Sequence, residues 1–305
     1  MKTILITGAS GLVGSALVPQ LLERGYRVHT LGRSKPTKAG KDKLLKHFQW
    51  NVDAGTFDEN ALEGVDAIIH LAGAGVAEKK WSAERKKEII DSRVRSAQLL
   101  FEYLKNNTHR IKTFISASAV GYYGDCGDKV IDETQPRGDG FLAEVCEKWE
   151  NAAKQFSSLD IREVRCRIGI VLAENGGALP ELTRSIPFGV AAYFNKADLY
   201  YPWIHIDDVC GIFIHALENE TMHGAYNTTA PTPLLMKELM QEILRARKSS
   251  ALLLPTPPLA IKIAMGEMSE MLLSSQRCSA KRISGSGYAF KCPMLKKALA
   301  DIYKK

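Results

Sequence analysis

The alternation of apolar and polar positions at the start of the chain predicts a buried strand that leads directly into a helix. Residues 3–7 are almost continuously apolar, which is typical of a parallel strand covered on both faces. A glycine-rich turn follows, and the next apolar residues recur at helical spacing on one face, at Leu12, Ala16, Leu17 and Leu21. A strand, a glycine turn and a helix in this order form the front half of a dinucleotide-binding unit.

Each of the three glycines in this stretch has its own expected task. Gly8 permits the tight turn, Gly11 lets the backbone approach a pyrophosphate, and Gly14 lets the helix pack closely on the strand. The free N–H groups and the positive dipole end of the helix would then face the diphosphate. A glycine-rich turn without a ligand is the alternative, but the position directly after a strand favours the nucleotide site.

Further apolar runs predict the remaining strands of a parallel sheet, at residues 27–31, 65–71, 161–172 and 225–228 and in a run that begins at Thr113. The segment from Lys41 to Trp50 is expected to hold a surface helix and a short strand, and residues 81–106 form a long amphipathic helix. After residue 230, a helix over 234–247, a strand over 252–254 and a turn over 255–258 are predicted.

These elements predict an α/β fold with a doubly wound parallel sheet and a smaller C-terminal α+β cap. The predicted dinucleotide-binding Rossmann domain comprises residues 1–172 and 203–230. The predicted substrate-binding cap comprises residues 173–202 and 231–305.

The end of the second predicted strand indicates which dinucleotide binds. An acidic residue there accepts the ribose 2′-hydroxyl of NAD and repels a 2′-phosphate. The chain has no Asp or Glu between Tyr26 and Gly40 and offers Arg33, with Ser34 and Lys35 beside it. Because a guanidinium binds phosphate in a bidentate manner, the sequence favours NADP over NAD. The alternative is an arginine that only caps a strand end.

Two other places contribute candidate cofactor residues. Asp53 could accept a hydrogen bond from an adenine amino group, although it is equally compatible with a turn. The strand over 65–71 ends in small residues, which leave room for a ligand at its carboxyl end. The complete predicted cofactor site is Gly8, Ser10, Gly11, Leu12, Val13, Gly14, Arg33, Ser34, Asp53, Leu71, Ala72, Gly73 and Ser116.

Composition limits the class of protein. The 305 residues are 45% hydrophobic and 25% charged, which is typical of a globular chain, and no apolar run approaches the roughly 20 residues of a membrane span. The core strand at the N-terminus leaves no room for a secretory signal, and the six cysteines include no CxxC pair, so we expect reduced thiols in the cytoplasm and no metal site. The net charge of +7 is dispersed along the chain.

The most basic stretch of the chain, residues 79–87, is either a site for a phosphorylated substrate or a solvated helix face.

We expect a small-molecule substrate as partner rather than a nucleic acid or a membrane, and a homodimer is left open.

The run from Ser116 to Gly124, Ser-Ala-Ser-Ala-Val-Gly-Tyr-Tyr-Gly, brings serines and two tyrosines to the same carboxyl-end rim. Because of this run, the chain resembles the extended type of the short-chain dehydrogenase/reductase superfamily, in the nucleoside-diphosphate-sugar epimerase/dehydratase branch. Three further motifs resemble an atypical subfamily called epimerase-family or cell-division-inhibitor-like proteins, namely Asp91-Ser92-Arg93, Trp149-Glu150 and the run from Trp203 to Asp208. The resemblance extends from Lys2 to about Tyr303.

The resemblance implies a catalytic serine at Ser118, followed about two dozen residues later by a Tyr-x-x-x-Lys pair that exchanges the proton. Phe141 and Val145 stand where that pair is expected, so this chain departs from the usual catalytic pattern. If chemistry occurs, Tyr122 and Tyr123 are the nearest candidates, with aromatic packing as the alternative. Weaker candidates are Cys146 and Lys148, for which burial and a solvated helix face are preferred.

Two other segments carry open alternatives. His205 either faces the cleft or is a core histidine with satisfied hydrogen bonds, and Asp207 is predicted to cap the helix that follows. Residues 190–196 replace the glycine-rich loop of the subfamily, which indicates a different ligand or lid.

Two functions follow from the sequence. The first is an oxidoreductase or epimerase that acts by hydride transfer to or from nicotinamide. The second is an NADP(H)-binding sensor or regulatory protein without turnover.

Overall fold

An eight-stranded sheet carries the glycine turn and the neighbouring strand ends. The structure, a computed structural model, describes residues 2–34, 43–174 and 176–304. Lys35 and Lys41 lie outside the described residues. The described part of the segment after Lys41 forms a strand from Leu45 onward and no helix, so the predicted surface helix is not found there.

The described residues form seventeen strands. In chain order they are β1 (Thr3–Thr7), β2 (Arg27–Gly32), β3 (Leu45–Asn51), β4 (Thr56–Phe57), β5 (Ala67–His70), β6 (Thr113–Ala119), β7 (Val130–Ile131), β8 (Arg162–Ile168), β9 (Ile170–Ala173), β10 (Gly176–Gly177), β11 (Val190–Phe194), β12 (Tyr200–Tyr201), β13 (Trp203–His205), β14 (Gly224–Thr228), β15 (Leu234–Leu235), β16 (Leu252–Thr256) and β17 (Arg277–Cys278).

The same residues form ten α-helices and several short 3-10 turns. The helices are α1 (Leu12–Glu23), α2 (Ala83–Asn106), α3 (Phe141–Lys154), α4 (Leu179–Thr183), α5 (Ile206–Glu218), α6 (Met236–Ala246), α7 (Pro258–Met265), α8 (Glu270–Leu273), α9 (Lys281–Gly285) and α10 (Leu295–Ile302). None of these helices combines the length and the apolar character that crossing a membrane requires.

The large sheet has the strand order β14-β8-β6-β5-β1-β2-β3-β4. β1 pairs in parallel with both β2 and β5, so the direction in which the chain adds strands reverses at β1. In a doubly wound sheet, this reversal opens a crevice at the carboxyl ends of the strands, where ligands bind. The predicted α/β fold with a doubly wound sheet is confirmed.

Contacts divide the chain into two compact units. The first comprises Met1–Ser118, Glu147–Cys166 and Cys210–Ala225, and the second comprises Ala119–Cys146, Arg167–Val209 and Tyr226–Lys305. Residues 119–146 thus group with the second unit, whereas the sequence assigned them to the Rossmann domain.

Each unit has its own apolar core. In the first unit, Phe114 of β6 stacks on Phe156 with ring centroids 3.6 Å apart, and Phe101 of α2 meets Phe156 edge-on at 5.6 Å. In the second unit, the fully buried Trp203 packs in a cluster with the apolar faces of α6 and α10. Both cores follow the helical spacing of apolar residues that the sequence shows.

The predicted strand over 161–172 is two strands, because the backbone changes course at Gly169. A Cβ at this position would lie only 2.0 Å from the carbonyl oxygen of Pro202, so only glycine fits here. The predicted turn over 255–258 is also corrected. Its first two residues extend β16, which pairs in parallel with β11, the strand formed within the atypical segment 190–196.

The predicted capping role of Asp207 is wrong, because α5 already begins at Ile206. The side chain of Asp207 instead pairs with Lys291. Its fully buried neighbour Asp208 accepts hydrogen bonds from the Tyr288 hydroxyl at 2.9 Å and from two backbone N–H groups, of Lys291 at 2.7 Å and Cys292 at 2.9 Å. The buried Asp208 carboxylate thus fixes the 288–292 segment, and the sequence pattern had not predicted this contact.

A buried histidine joins the carboxyl ends of β1 and β5. The Nδ1 atom of His70 lies 2.9 Å from the Thr7 hydroxyl, and Nε2 lies 3.2 Å from the Ser96 hydroxyl on α2. His70 is completely buried, and this burial lowers its pKa from 6.5 to about 4. The ring is therefore neutral at physiological pH, where it can donate through one nitrogen and accept through the other.

We expect His70 to make the protein sensitive to acid. Because the pKa is lower in the folded than in the unfolded chain, the contribution of His70 to stability is complete above pH 6.5. It is lost as the pH falls towards about 4, a loss of about 3 kcal/mol in the free energy of unfolding. Urea unfolding of wild type and His70→Gln over this range measures it. The variant should lose less stability on acidification, and parallel curves for the two proteins would contradict the assignment.

Candidate functional site

The glycine turn brings three backbone segments into direct contact. Gly8 has a φ of +71°, and a Cβ there would lie 2.7 Å from the carbonyl carbon of Leu71 and 2.8 Å from the N atom of Ala72. A Cβ at Gly14 would lie 2.4 Å from the carbonyl oxygen of Gly8. A Cβ at Gly11 would meet only that same oxygen, at 3.4 Å. Gly8 and Gly14 are therefore required for packing, whereas Gly11 keeps open the space in front of the turn.

The amino end of α1 points its N–H groups into that space. The helix begins at Leu12, and Gly11 precedes it with an extended backbone and no side chain that could cap it. The first turn contains no acidic residue, so the positive end of the helix dipole is not neutralised locally. The first-turn residues Leu12, Val13 and Gly14 thus offer backbone donors suited to a diphosphate.

A cavity of about 390 Å³ lies beside the turn, and three predicted residues line it: Ser10, Arg33 and Ser34. The Gln49 amide donates to the carbonyl oxygen of Arg33 at 3.0 Å, which fixes the backbone where β2 ends. Among the described residues that line the cavity, none is acidic. His47 of β3 lines the same cavity, and nothing in the local sequence pattern had indicated it.

Side chains of α2 hold the loop that follows β5, which carries the predicted residues Leu71, Ala72 and Gly73. The Ser92 hydroxyl accepts from the Ala74 N–H at 2.9 Å, and Arg93 donates to the carbonyl oxygen of Ala74 at 3.0 Å. The guanidinium of Arg93 also lies over the ring of Trp149, 4.8 Å from its centroid. The family motif around Ser92 thus has a structural role, because it fixes the loop at the carboxyl end of β5.

The basic stretch at the start of α2 also contributes to this loop. Arg85 is only 6% exposed, and it pairs with Glu88 at 2.7 Å, with Glu78 at 3.0 Å and with the carbonyl oxygen of Gly75. Since both terminal nitrogens of its guanidinium already have partners within the protein, the structure favours neither a phosphate site at Arg85 nor a solvated role for it.

Two predicted cofactor residues lie apart from the cavity. Asp53 is exposed, and its carboxylate lies 3.4 Å from Arg95 of α2. Ser116 is buried in β6, where its hydroxyl donates to the carbonyl oxygen of Ala117 at 2.8 Å. Contacts of either residue with a cofactor stay predictions.

Ser118 belongs to a buried polar network. Its hydroxyl donates to Glu150 Oε1 at 2.8 Å, and the other carboxylate oxygen accepts from Arg165 at 3.0 Å. The three residues are at most 9% exposed. The proton of Ser118 is therefore directed at a carboxylate, which leaves the Ser118 oxygen as an acceptor for any further partner. Glu150 is the second residue of the Trp149-Glu150 motif, and this network gives it a structural role.

The two tyrosines of the loop differ in accessibility. Tyr123 is 1% exposed, and its hydroxyl lies 2.6 Å from Asn227 Oδ1 and 2.9 Å from a guanidinium nitrogen of Arg167. Burial raises the pKa of Tyr123 above its ordinary value, which makes it a poor proton donor. Tyr122 is half-buried, and the Arg167 guanidinium lies 3.7 Å from its ring centroid. A catalytic role of either residue stays a prediction.

The positions expected for the Tyr-x-x-x-Lys pair are apolar and buried in α3. Phe141 is 7% exposed and Val145 is 3% exposed. The backbone N–H groups of Phe141 and Leu142 donate to the two carboxylate oxygens of Glu270, each at 3.2 Å, so this acid caps the helix. Of the weaker candidates on α3, Cys146 is buried and Lys148 is exposed.

One group of described side chains has ligand atoms close enough for a metal, namely His205, Asp207 and Asp301. The ammonium of Lys291 already pairs with Asp207 and lies 3.7 Å from Asp301 Oδ2. His205 is buried, and its Nδ1 accepts the N–H of Asp207 at 3.2 Å. This arrangement favours the core-histidine interpretation of His205, with lysine as the cation of the cluster.

We expect opposite effects from substitutions at two glycines of the turn. Gly11→Val should leave the fold largely intact and abolish dinucleotide binding, because its side chain would fill the space in front of the α1 N–H groups. Gly14→Ala should destabilise the protein by at least about 2 kcal/mol, since its methyl group meets backbone. Urea unfolding and NADPH titration of both variants measure these effects. A folded Gly11→Val protein that binds NADPH normally would place the site elsewhere.

Comparisons with known proteins agree with this geometry. A family model described as NAD dependent epimerase/dehydratase family matches residues 4–140, and one described as a domain of unknown function (DUF1731) matches residues 256–302. The chloroplastic homolog of epimerase family protein SDR39U1 from Arabidopsis thaliana is 34% identical over 303 residues, which cover 98% of this chain and 86% of that protein.

Two solved structures are similar over nearly the whole chain. Human epimerase family protein SDR39U1, determined with NADPH, has a TM-score of 0.84 at 29% identity, with 98% of both chains covered. The nucleoside-diphosphate sugar epimerase of Corynebacterium glutamicum has a TM-score of 0.78 at 31% identity, covering 99% of this chain and 58% of that chain. From its glycine turn, its sheet and these relatives, the chain belongs to the epimerase family proteins of the NAD-dependent epimerase/dehydratase family, within the extended short-chain dehydrogenase/reductase superfamily.

Proposed function

We propose that the protein binds NADP(H) and acts as an oxidoreductase or epimerase on a small molecule. The observation that carries this proposal is Arg33, which lines a cavity without described acidic residues beside the glycine turn. When bound, nicotinamide supplies the hydride transfer on which this chemistry depends. The human relative determined with NADPH supports the choice of dinucleotide.

The residues of the chain fit such a cofactor. The α1 N–H groups and the open space at Gly11 suit a diphosphate, and the loop clamped by Ser92 and Arg93 borders the turn through Leu71 and Gly8. At the end of β2, Arg33 and Ser34 offer a guanidinium and a hydroxyl to a 2′-phosphate. Among the described residues of the lining, none is acidic, so no carboxylate there opposes the charge of a 2′-phosphate.

Ser118 is the residue that we propose for positioning the reacting group. Because Glu150 takes the serine proton, the Ser118 oxygen can accept a hydrogen bond from a substrate hydroxyl. Arg165 keeps the Glu150 carboxylate paired within the protein. Sugar nucleotides are the first substrate class to test, since the relative from Corynebacterium glutamicum is named a nucleoside-diphosphate sugar epimerase.

A second candidate function is an NADP(H)-dependent sensor or regulatory protein without turnover. The observation that favours it is the loss of ordinary proton donors. Phe141 and Val145 are buried hydrocarbon side chains, and Tyr123 is buried with a raised pKa.

We also propose the cytoplasm as the location, because the six cysteines are free thiols, as is typical of a reducing compartment.

We expect NADPH to bind at least tenfold more tightly than NADH, a difference of about 1.4 kcal/mol, because Arg33 attracts the 2′-phosphate. Titration of both dinucleotides measures this preference. Arg33→Ala should remove it, whereas Arg27→Ala, at the other end of the same strand, is the control and should keep it. Equal affinities in the wild type would overturn the phosphate-binding role of Arg33.

Turnover should depend on Ser118. Ser118→Ala should lower the rate at which a substrate hydroxyl compound reduces NADP+ by about a hundredfold or more, with NADPH affinity changed only a few-fold, because the serine oxygen positions that hydroxyl. Ser118→Thr should retain activity because it keeps the accepting oxygen. The measurement is NADP+ reduction across a panel of alcohols and sugar nucleotides. The sensor would be favoured instead if no compound gives Ser118-dependent NADP+ reduction while NADPH binds tightly and changes the protease sensitivity of the second unit.

A further inference from the structure

His47 presents an imidazole ring to the same cavity as Arg33 and Ser34. The residue lies on β3, directly opposite Thr30 of β2 in the parallel register. Its side chain is exposed, whereas Thr30 is only 5% exposed. The Thr30 hydroxyl lies 2.6 Å from Nδ1 of the ring, so one nitrogen is held from behind by a buried group. Nε2 is then the polar atom of the ring that remains for a ligand.

The contact with Thr30 is compatible with a donating Nε2. A threonine hydroxyl can either donate to Nδ1 or accept from it. When Thr30 donates, the neutral ring carries its proton on Nε2, and when the ring is protonated both nitrogens are donors. An anion in the cavity would select these two states, because each directs an N–H at it.

The cavity that the ring lines offers it a positive neighbour. Among the described residues of that lining, the charged side chain is Arg33 at the end of β2, and none is acidic. Glu88 of α2 lies near enough to Arg33 for their charges to interact, and Lys46 precedes His47 in the same strand. The part of α1 that lines the cavity is uncharged, at Ser15, Val18 and Pro19. Successive side chains of a strand point to opposite faces, so Lys46 is directed away from the face that His47 presents to the cavity.

We propose that His47 is a second ligand for the adenosine 2′-phosphate and, together with Arg33, determines the preference for NADP(H) over NAD(H). This role rests on the proposed function, since it assumes that the site takes a dinucleotide. Arg33 supplies a permanent charge, whereas His47 supplies a directed N–H donor.

The test compares NADPH and NADH affinities in His47→Ala with those in wild type. The variant should bind NADPH about tenfold more weakly and NADH within twofold of wild type, because only NADPH carries the 2′-phosphate. Lys46→Ala is the matched control. It removes a full positive charge one residue away on the opposite face, and it should change the NADPH to NADH ratio less than twofold. His47→Lys should restore most of the preference.

A further measurement distinguishes a direct contact from a structural effect. Adenosine 2′-monophosphate should shift the side-chain nitrogen resonances of His47 in NMR spectra, and adenosine should not.

The affinities separate the specificity role of His47 from the proposed function. If His47→Ala weakens NADPH and NADH equally, or leaves their ratio unchanged, the specificity role is overturned while the proposed function stands. If Lys46→Ala reduces the ratio as much as His47→Ala, the effect is general electrostatics and the role is overturned as well. If the folded wild type binds neither dinucleotide, the proposed function fails and this role fails with it.

Discussion

The backbone of the glycine turn passes so close to two other backbone segments that side chains have no space between them. Gly8 lies against the Leu71–Ala72 peptide, and Gly14 lies against the Gly8 carbonyl. These contacts fix the amino end of α1 relative to the carboxyl ends of β1 and β5. The direction of the α1 N–H groups is thus set by hard-sphere packing, and the binding of a diphosphate depends on that direction.

Buried polar groups then stabilise the same edge of the sheet. His70 joins β1, β5 and α2 through two hydroxyls, and Arg93 holds the loop that follows β5. Farther along the sheet, Glu150 links Ser118 to Arg165. Such groups tolerate little rearrangement, because a buried polar atom without its partner costs about 1–3 kcal/mol. Hydrogen bonds of buried polar groups therefore hold the carboxyl ends of these strands in place, in addition to apolar packing.

The fold and the position of Arg33 in the cavity beside the glycine turn could be predicted because their signals are local. The apolar run before Gly8, the turn itself and Arg33 at the end of the next strand all lie within about thirty residues. The partners of Ser118 could not be predicted, because Glu150 is 32 residues away and meets it only through tertiary packing. His47 was missed for the same reason, since its relation to Thr30 arises from strand register. The error at Asp207 arose because α5 begins one residue before it, and the helix start is a boundary that the local pattern defines poorly.

The capping of α3 by Glu270 bears on how this family is divided along the sequence. One family model ends at Gly140, just before α3, and the other spans 256–302. Gly140, with a φ of +101°, leaves room for the Glu270 carboxylate, which would meet any Cβ there at 2.5 Å. The two segments share a helix terminus, so a truncation that cuts between them would leave α3 without the carboxylate that caps it.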